Sequence, residues 1–210
     1  MTGLQSFFDA ISNEEYVVLR NFEAFRSELD FEEHPDIDML CSNPKKIRSI
    51  LGFVSRGRFP DGIHYKTVIA GKPVAIDLRH IGDGYLDAEW ERHILHNRVT
   101  DRGLCYVPSE EDYRYSLLYH VLIQKKTIGV DYRKKLEKMF GEQLKSRTRE
   151  AWIAVLESYM QEHGYYYTWP SYPLGIFNLK DVSKAMIKDS PERKRIHNWA
   201  EYAARMVLRK

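Results

Sequence analysis

The stretch His34-Pro35-Asp36-Ile37-Asp38-Met39-Leu40 constrains this chain more than any other. It sets two carboxylates two residues apart among apolar side chains. In a strand, successive side chains point to opposite faces. Asp36 and Asp38 then share one face, while Ile37 and Met39 take the other. A second run, Lys72-Pro73-Val74-Ala75-Ile76-Asp77-Leu78-Arg79, places Asp77 between Ile76 and Leu78 in the same manner. Two anions close together in a half-buried strand repel, and one tends to keep its proton unless a cation joins them. Three carboxylates on neighbouring strands form an oxygen-rich site suited to magnesium or manganese; magnesium in particular binds through a few carboxylates together with substrate phosphates. Each residue also has a structural reading. Asp-Ile-Asp triplets occur widely in turns and caps, and Asp77 has Arg79 as an alternative ion-pair partner.

The flanking sequence predicts the scaffold. Leu4, Phe7, Phe8 and Ile11 repeat at helical spacing over 4–11. Tyr16 to Phe22 is β-branched and aromatic and predicts a strand. Residues 23–33 are acidic and predict a loop or a single helical turn. Asn43-Pro44 opens a helix, with Asn as N-cap and Pro in the first turn, and Gly52 closes it. After a turn-rich loop over 55–62, strands 64–70 and 74–80 are joined by a tight turn at Gly71-Lys72. Asp87 caps a helix through Trp90, Ile94 and Leu95, and 99–107 reads as a surface passage. Ser109 with Asp112 approximates a capping box before a buried helix carrying His120. Helices follow over 131–140 and 147–163, then an aromatic, proline-bearing connection over 165–173 and a last helix from Ser190-Pro191. The expected fold is α+β: a small mixed sheet with covering helices over 1–107, and a mostly helical part over 108–210 packed on it.

Composition excludes some classes. The 32 basic and 30 acidic residues leave a net charge of +2, which makes no electrostatic case for nucleic acid as a partner. Cys41 and Cys105 lack metal-ligand spacing and read as reduced thiols, which fits a cytoplasmic protein. No signal peptide is visible, and no apolar run approaches the length of a membrane span. His93 and His96 lie three apart on a predicted helix, yet nothing completes a zinc set around them. Asp83 and Asp87 read as turn and cap residues. The rings of Tyr165 to Trp169 serve either to stack a base or sugar or to lid the core.

The pair Asp36-Ile37-Asp38, with Asp77 in Ala75-Ile76-Asp77-Leu78, resembles the carboxylate set of the nucleotidyltransferase superfamily over roughly the first half of the chain. The preceding strand would be Val17-Val18-Leu19, and the interposed helix the one from Asn43. Val18-Leu19-Arg20-Asn21-Phe22-Glu23 and Ile81-Gly82-Asp83-Gly84-Tyr85 also look like a bacterial subgroup associated with surface-polysaccharide assembly. The resemblance implies a palm that binds magnesium and a nucleoside triphosphate and transfers a nucleotidyl or related phosphoryl group to a small-molecule or carbohydrate hydroxyl. Asp36, Asp38 and Asp77 would be both the metal ligands and the catalytic residues. The family usually places Gly-Ser or Gly-Gly after the first strand, whereas this chain has Arg20-Asn21. Arg20 there either obstructs the triphosphate or supplies a guanidinium to it. Arg20, Asn21, Lys45 and Arg79 are thus the expected nucleotide contacts, with Lys45 and Lys46 alternatively a solvated helix face. The same departure leaves a non-catalytic binding module as the rival. A glycosyltransferase would need a Rossmann-like parallel sheet, which so short an α/β portion does not offer.

Overall fold

The computed structural model describes residues 3–26, 36–57, 62–145, 147–169 and 178–188. Among them are six α-helices, a five-stranded mixed sheet and a two-stranded sheet. The described residues divide into two compact units, one drawn from 1–81 and 91–113, the other from 82–90 and 114–210.

The first unit is built on the larger sheet. Its strands are β1 (Tyr16–Val18), β2 (Asp36–Cys41), β3 (Val54–Ser55), β4 (His64–Ile69) and β5 (Lys72–His80), in spatial order β1-β2-β5-β4-β3. β2 and β5 run parallel, and the other neighbouring pairs are antiparallel. Strand alternation assigns Ile37, Met39 and Cys41 of β2, Tyr65 and Ile69 of β4, and Val74, Ile76 and Leu78 of β5 to one apolar face. All are buried. Helix α2 (Pro44–Leu51) covers this face, and Thr67 on it donates its hydroxyl to the Leu51 carbonyl. Helix α1 (Leu4–Asp9) joins through rings, with Phe7 stacked on Phe53 and Phe53 on Tyr65. The opposite face carries Asp36, Asp38, Asp77, Arg79, His64 and Lys66. The sequence period of two therefore puts the three carboxylates on the face opposite Ile37, Met39, Ile76 and Leu78.

Several local signals act as expected. The Asn43 side chain accepts from Lys46 N at 3.1 Å, and Gly52 closes α2 at φ +62°. Helix α3 (Ala88–His96) follows the Asp87 cap, and Ser109 Oγ accepts from Asp112 N and donates to the Asp112 carboxylate at the head of α4 (Glu110–Ile123).

Other expectations change. The first strand stops at Val18 rather than running to Phe22. Asn21 turns the backbone at φ +62°, and a 3-10 turn over Phe22–Arg26 follows. The segment 99–107, expected as a passage, is a hairpin of β6 (Val99–Asp101) and β7 (Cys105–Val107), turned by Arg102 and Gly103 at positive φ. The turn between β4 and β5 closes at Ala70-Gly71, one residue earlier than the glycine signal suggested, and both residues take positive φ. The short edge strand β3 falls where only a loop was expected. The remaining expectations for 27–35, for 170–173 and for the last helix from Ser190 lie outside the described residues.

In the second unit, α5 (Val130–Phe140) and α6 (Arg149–His163) form as expected, α6 capped by Thr148. Its core is aromatic. Trp90 stacks on Tyr165 at 5.3 Å, Tyr119 on Tyr167 at 5.8 Å, and Trp152 donates its indole N–H to the Leu144 carbonyl. Tyr165 and Tyr167 thus belong to this core, while Tyr166 between them is 40% exposed. Among the described residues, no helix is long and apolar enough to cross a membrane.

Candidate functional site

The register of the parallel pair aligns Asp38 directly with Asp77, and Asp36 with Ala75. Asp36, two residues before Asp38, joins them on one face. One ligand oxygen from each of the three carboxylates lies within 4.8 Å of the others. Oxygens on opposite sides of one magnesium ion stand about 4.2 Å apart, twice the usual metal–oxygen distance, so the triad has the scale of a coordination sphere. Among the described residues it is the one group of three or more His, Cys, Asp or Glu side chains so placed.

The surroundings of the three differ. Asp38 is 3% exposed, whereas Asp36 and Asp77 are half-buried. Burial pushes the Asp38 carboxyl up to about 6; Arg20 opposes that shift, and the charges of Asp77 and Asp36 add to it. Asp77 divides its two oxygens. Oδ2 lies 3.8 Å from His64 Nε2, and Oδ1 is buried with no hydrogen-bond partner among the described residues. A buried carboxylate oxygen left unsatisfied is costly, and a hard divalent cation is a ligand that the converging carboxylate oxygens of the triad fit.

Arg20 is brought to the triad by the end of β1. Leu19 N donates to the Asp38 carbonyl at 2.8 Å, which extends the ladder by one residue. The chain then turns at Asn21, and Arg20 Nη2 donates to Asp38 Oδ1 at 2.5 Å. Both side chains are nearly buried, at 10% and 4%. Asn21 contributes backbone geometry, taking a left-handed conformation that Asn tolerates better than most residues. Arg79 is buried on the Asp77 face, where its charge favours ionised Asp38.

Lys45 is not brought to the triad. It is exposed in the first turn of α2, which follows the Cys41 end of β2, and Cys41 itself is about 10 Å along the strand from Asp38. Lys46 beside it pairs with Glu14 at 2.7 Å. His93 faces Asp112 at 3.3 Å, and His120 is a buried core residue that meets the Tyr85 hydroxyl at 3.1 Å. Asp83 and Asp87 accept the backbone N–H groups of Tyr85 and Glu89, the turn and cap roles expected of them.

His64 is the neighbour that sequence reasoning missed. A turn centred on Gly71-Lys72 would oppose it to Arg79; the turn at Ala70-Gly71 opposes it to Asp77. Residue type does not announce that placement, because the turn begins at Ala70, a non-glycine residue held at φ +50°.

No protein-family model, curated protein or solved structure matches the chain. The fold and the site define a mixed α/β protein with a carboxylate triad on the polar face of its main sheet.

Proposed function

We propose that this chain is a magnesium-dependent, nucleotidyltransferase-like enzyme that transfers a nucleotidyl or related phosphoryl group from a nucleoside triphosphate to a small-molecule or carbohydrate hydroxyl. The observation that carries the reading is the convergence of Asp36, Asp38 and Asp77 from two adjacent parallel strands. The strand-helix-hairpin order around them supports a palm of that superfamily. Magnesium or manganese held by the triad would neutralise the triphosphate and stabilise the attacking and leaving oxygens of an in-line displacement. The protein's part is positional. β2 and β5 present the carboxylates from rigid backbone, and Arg20 and Arg79 supply positive charge beside them. The polysaccharide-like segments favour a carbohydrate acceptor, and a nucleotide donor with two buried free cysteines suits a cytoplasmic setting.

A second reading, a non-catalytic module of the same fold, is favoured by Arg20. Its guanidinium is already on Asp38 at the position where the superfamily exposes a glycine backbone. Isothermal titration of each nucleoside triphosphate separates the two readings, run with and without magnesium on wild type and on Asp36→Asn/Asp38→Asn. Magnesium-dependent binding by wild type that the double variant loses supports the enzyme. Absence of binding by any nucleotide leaves the module.

A further inference from the structure

We propose that Lys66 determines polyphosphate binding at this site, its ammonium holding a phosphate that lies over Ala75 beside a cation on the triad. The inference rests on the metal-dependent reading of the triad and adds the residue that recognises the charge of the substrate there.

Ala75 is the residue that two strand registers share. It opposes Asp36 across the parallel β2–β5 pair and Lys66 across the antiparallel β4–β5 pair. Directly opposed residues point to one side of a sheet, so Asp36, Ala75 and Lys66 form a row on the polar face. The row two residues along is Asp38, Asp77 and His64. The three carboxylates therefore border Ala75 on one side, and Lys66 borders it on the other. Ala75 itself is half-buried and carries only a methyl group, which keeps the face low between Asp36 and Lys66.

Lys66 differs from the other cations beside the triad. Arg79 is buried, and Arg20 is nearly so within its pair with Asp38. Lys66 is exposed, and among the described residues it makes no ion pair, hydrogen bond or ring contact. Its direct neighbours on the face are Val54 and Ala75 across the strands, and His64 and Val68 along its own. None is acidic. Asp77 stands diagonally across β5 and faces His64 instead. Lys66 can thus turn to an incoming anion without breaking an ion pair.

Strand spacing sets its reach. Neighbouring strands lie about 4.8 Å apart, which puts the backbones of Lys66 and Asp36 about 10 Å apart across β5. The flexible four-carbon stem of lysine covers much of that span. Magnesium is held by a few carboxylates together with substrate phosphates, so a phosphate on a triad-bound cation falls between that cation and Lys66. Three carboxylates repel a polyphosphate. The cation offsets them on the β2 side, and Lys66 supplies the opposite charge on the β4 side.

The test follows Mn2+ by electron paramagnetic resonance and inorganic triphosphate by isothermal titration on the full chain. Wild type is compared with Lys66→Gln, Lys66→Arg, Ala75→Leu and Lys45→Gln, each shown to be folded by circular dichroism. Lys66→Gln should bind Mn2+ alone much as wild type does, and triphosphate in the presence of Mn2+ at least about tenfold more weakly, the loss of one charge-assisted contact. Lys66→Arg, which keeps the charge, should retain most of the triphosphate affinity. Ala75→Leu, which raises the face between Asp36 and Lys66, should also weaken triphosphate while leaving Mn2+ alone unchanged. Lys45→Gln removes the same charge away from the triad and should bind triphosphate as wild type does. Equal triphosphate affinity in wild type and Lys66→Gln, or an equal loss in Lys45→Gln, would overturn the role of Lys66 and leave the metal site standing. Wild type that binds Mn2+ but no triphosphate would do the same. Failure of wild type to bind Mn2+ would overturn the metal-dependent reading and the role of Lys66 with it.

Discussion

Asp38 and Asp77 are aligned across the parallel β2–β5 pair, their Cα positions in register and both carboxylates on the polar face of the sheet. The alignment places like charges on adjacent strands, where direct opposition is unfavourable. The fold retains it against that cost. Arg20 offsets part of the charge at Asp38, and His64 approaches Asp77 from the other side.

Removing one acid should therefore separate stability from binding. Asp77→Asn is expected to unfold at higher denaturant concentration than wild type in chelator. On the metal-dependent reading it should also lose about tenfold or more in Mn2+ affinity, since a charged carboxylate becomes a neutral amide. Denaturant titration in chelator, beside Mn2+ binding, checks both halves. A variant that binds Mn2+ as wild type does would remove Asp77 from the ligand set.

Asp38 predicts a pH dependence. In the unfolded chain its proton leaves near 3.8; in the fold it leaves near 6, chiefly because the carboxyl is buried. Between those values the native state holds a proton that the unfolded state has lost. The contribution of Asp38 to stability is thus greatest below about 4, falls as pH rises to about 6, and is level above that. At pH 7 its buried charge costs on the order of 3 kcal/mol. Metal-free protein should accordingly be more stable at pH 5 than at pH 7, and Asp38→Asn should abolish most of the difference. Denaturant titrations across pH 4–8 on both proteins measure it.

Loss of Arg20 should be severe at neutral pH. Arg20→Ala leaves the Asp38 carboxylate buried beside two other acids, and breaking a buried pair in this way costs about 3–5 kcal/mol. Arg20→Ala/Asp38→Asn should recover much of the loss, because neither charge of the buried pair is then left without the other. A double-mutant cycle in chelator at pH 7 gives the coupling directly.

Asn21 tests the backbone. At φ +62° an alanine is strained by about 1–2 kcal/mol, and glycine is not. Asn21→Ala should lower stability by about that amount, with Asn21→Gly close to wild type. Equal stabilities for the two variants would show that the turn does not depend on residue 21.

Much of this architecture could be read from residues close together in the chain. The alternation of acid and apolar side chains over 36–40 and 74–79 assigned Asp36, Asp38 and Asp77 to strands. Asn43-Pro44, Gly52 and Ser109-Asp112 marked helix ends, since each cap is made within a few residues. Local sequence left 99–107 without its hairpin, because Arg102 at positive φ is a conformation that residue type does not announce.

What lay beyond the sequence was pairing across distance. Periodicity places Asp38 and Asp77 each on a face of its own strand, but only the assembled sheet decides that β2 neighbours β5, that they run parallel, and that 38 meets 77. The same holds for Arg20, which the sequence offered to a phosphate and the fold places on Asp38, and for Lys45, carried past the far end of β2. His64 reached Asp77 through the placement of a two-residue turn. Which side chains carry charge, and which residues favour a turn, are local properties that the order of residues already contains. The tertiary structure alone decided which charges meet, because register and strand order are set by burying all the apolar faces at once.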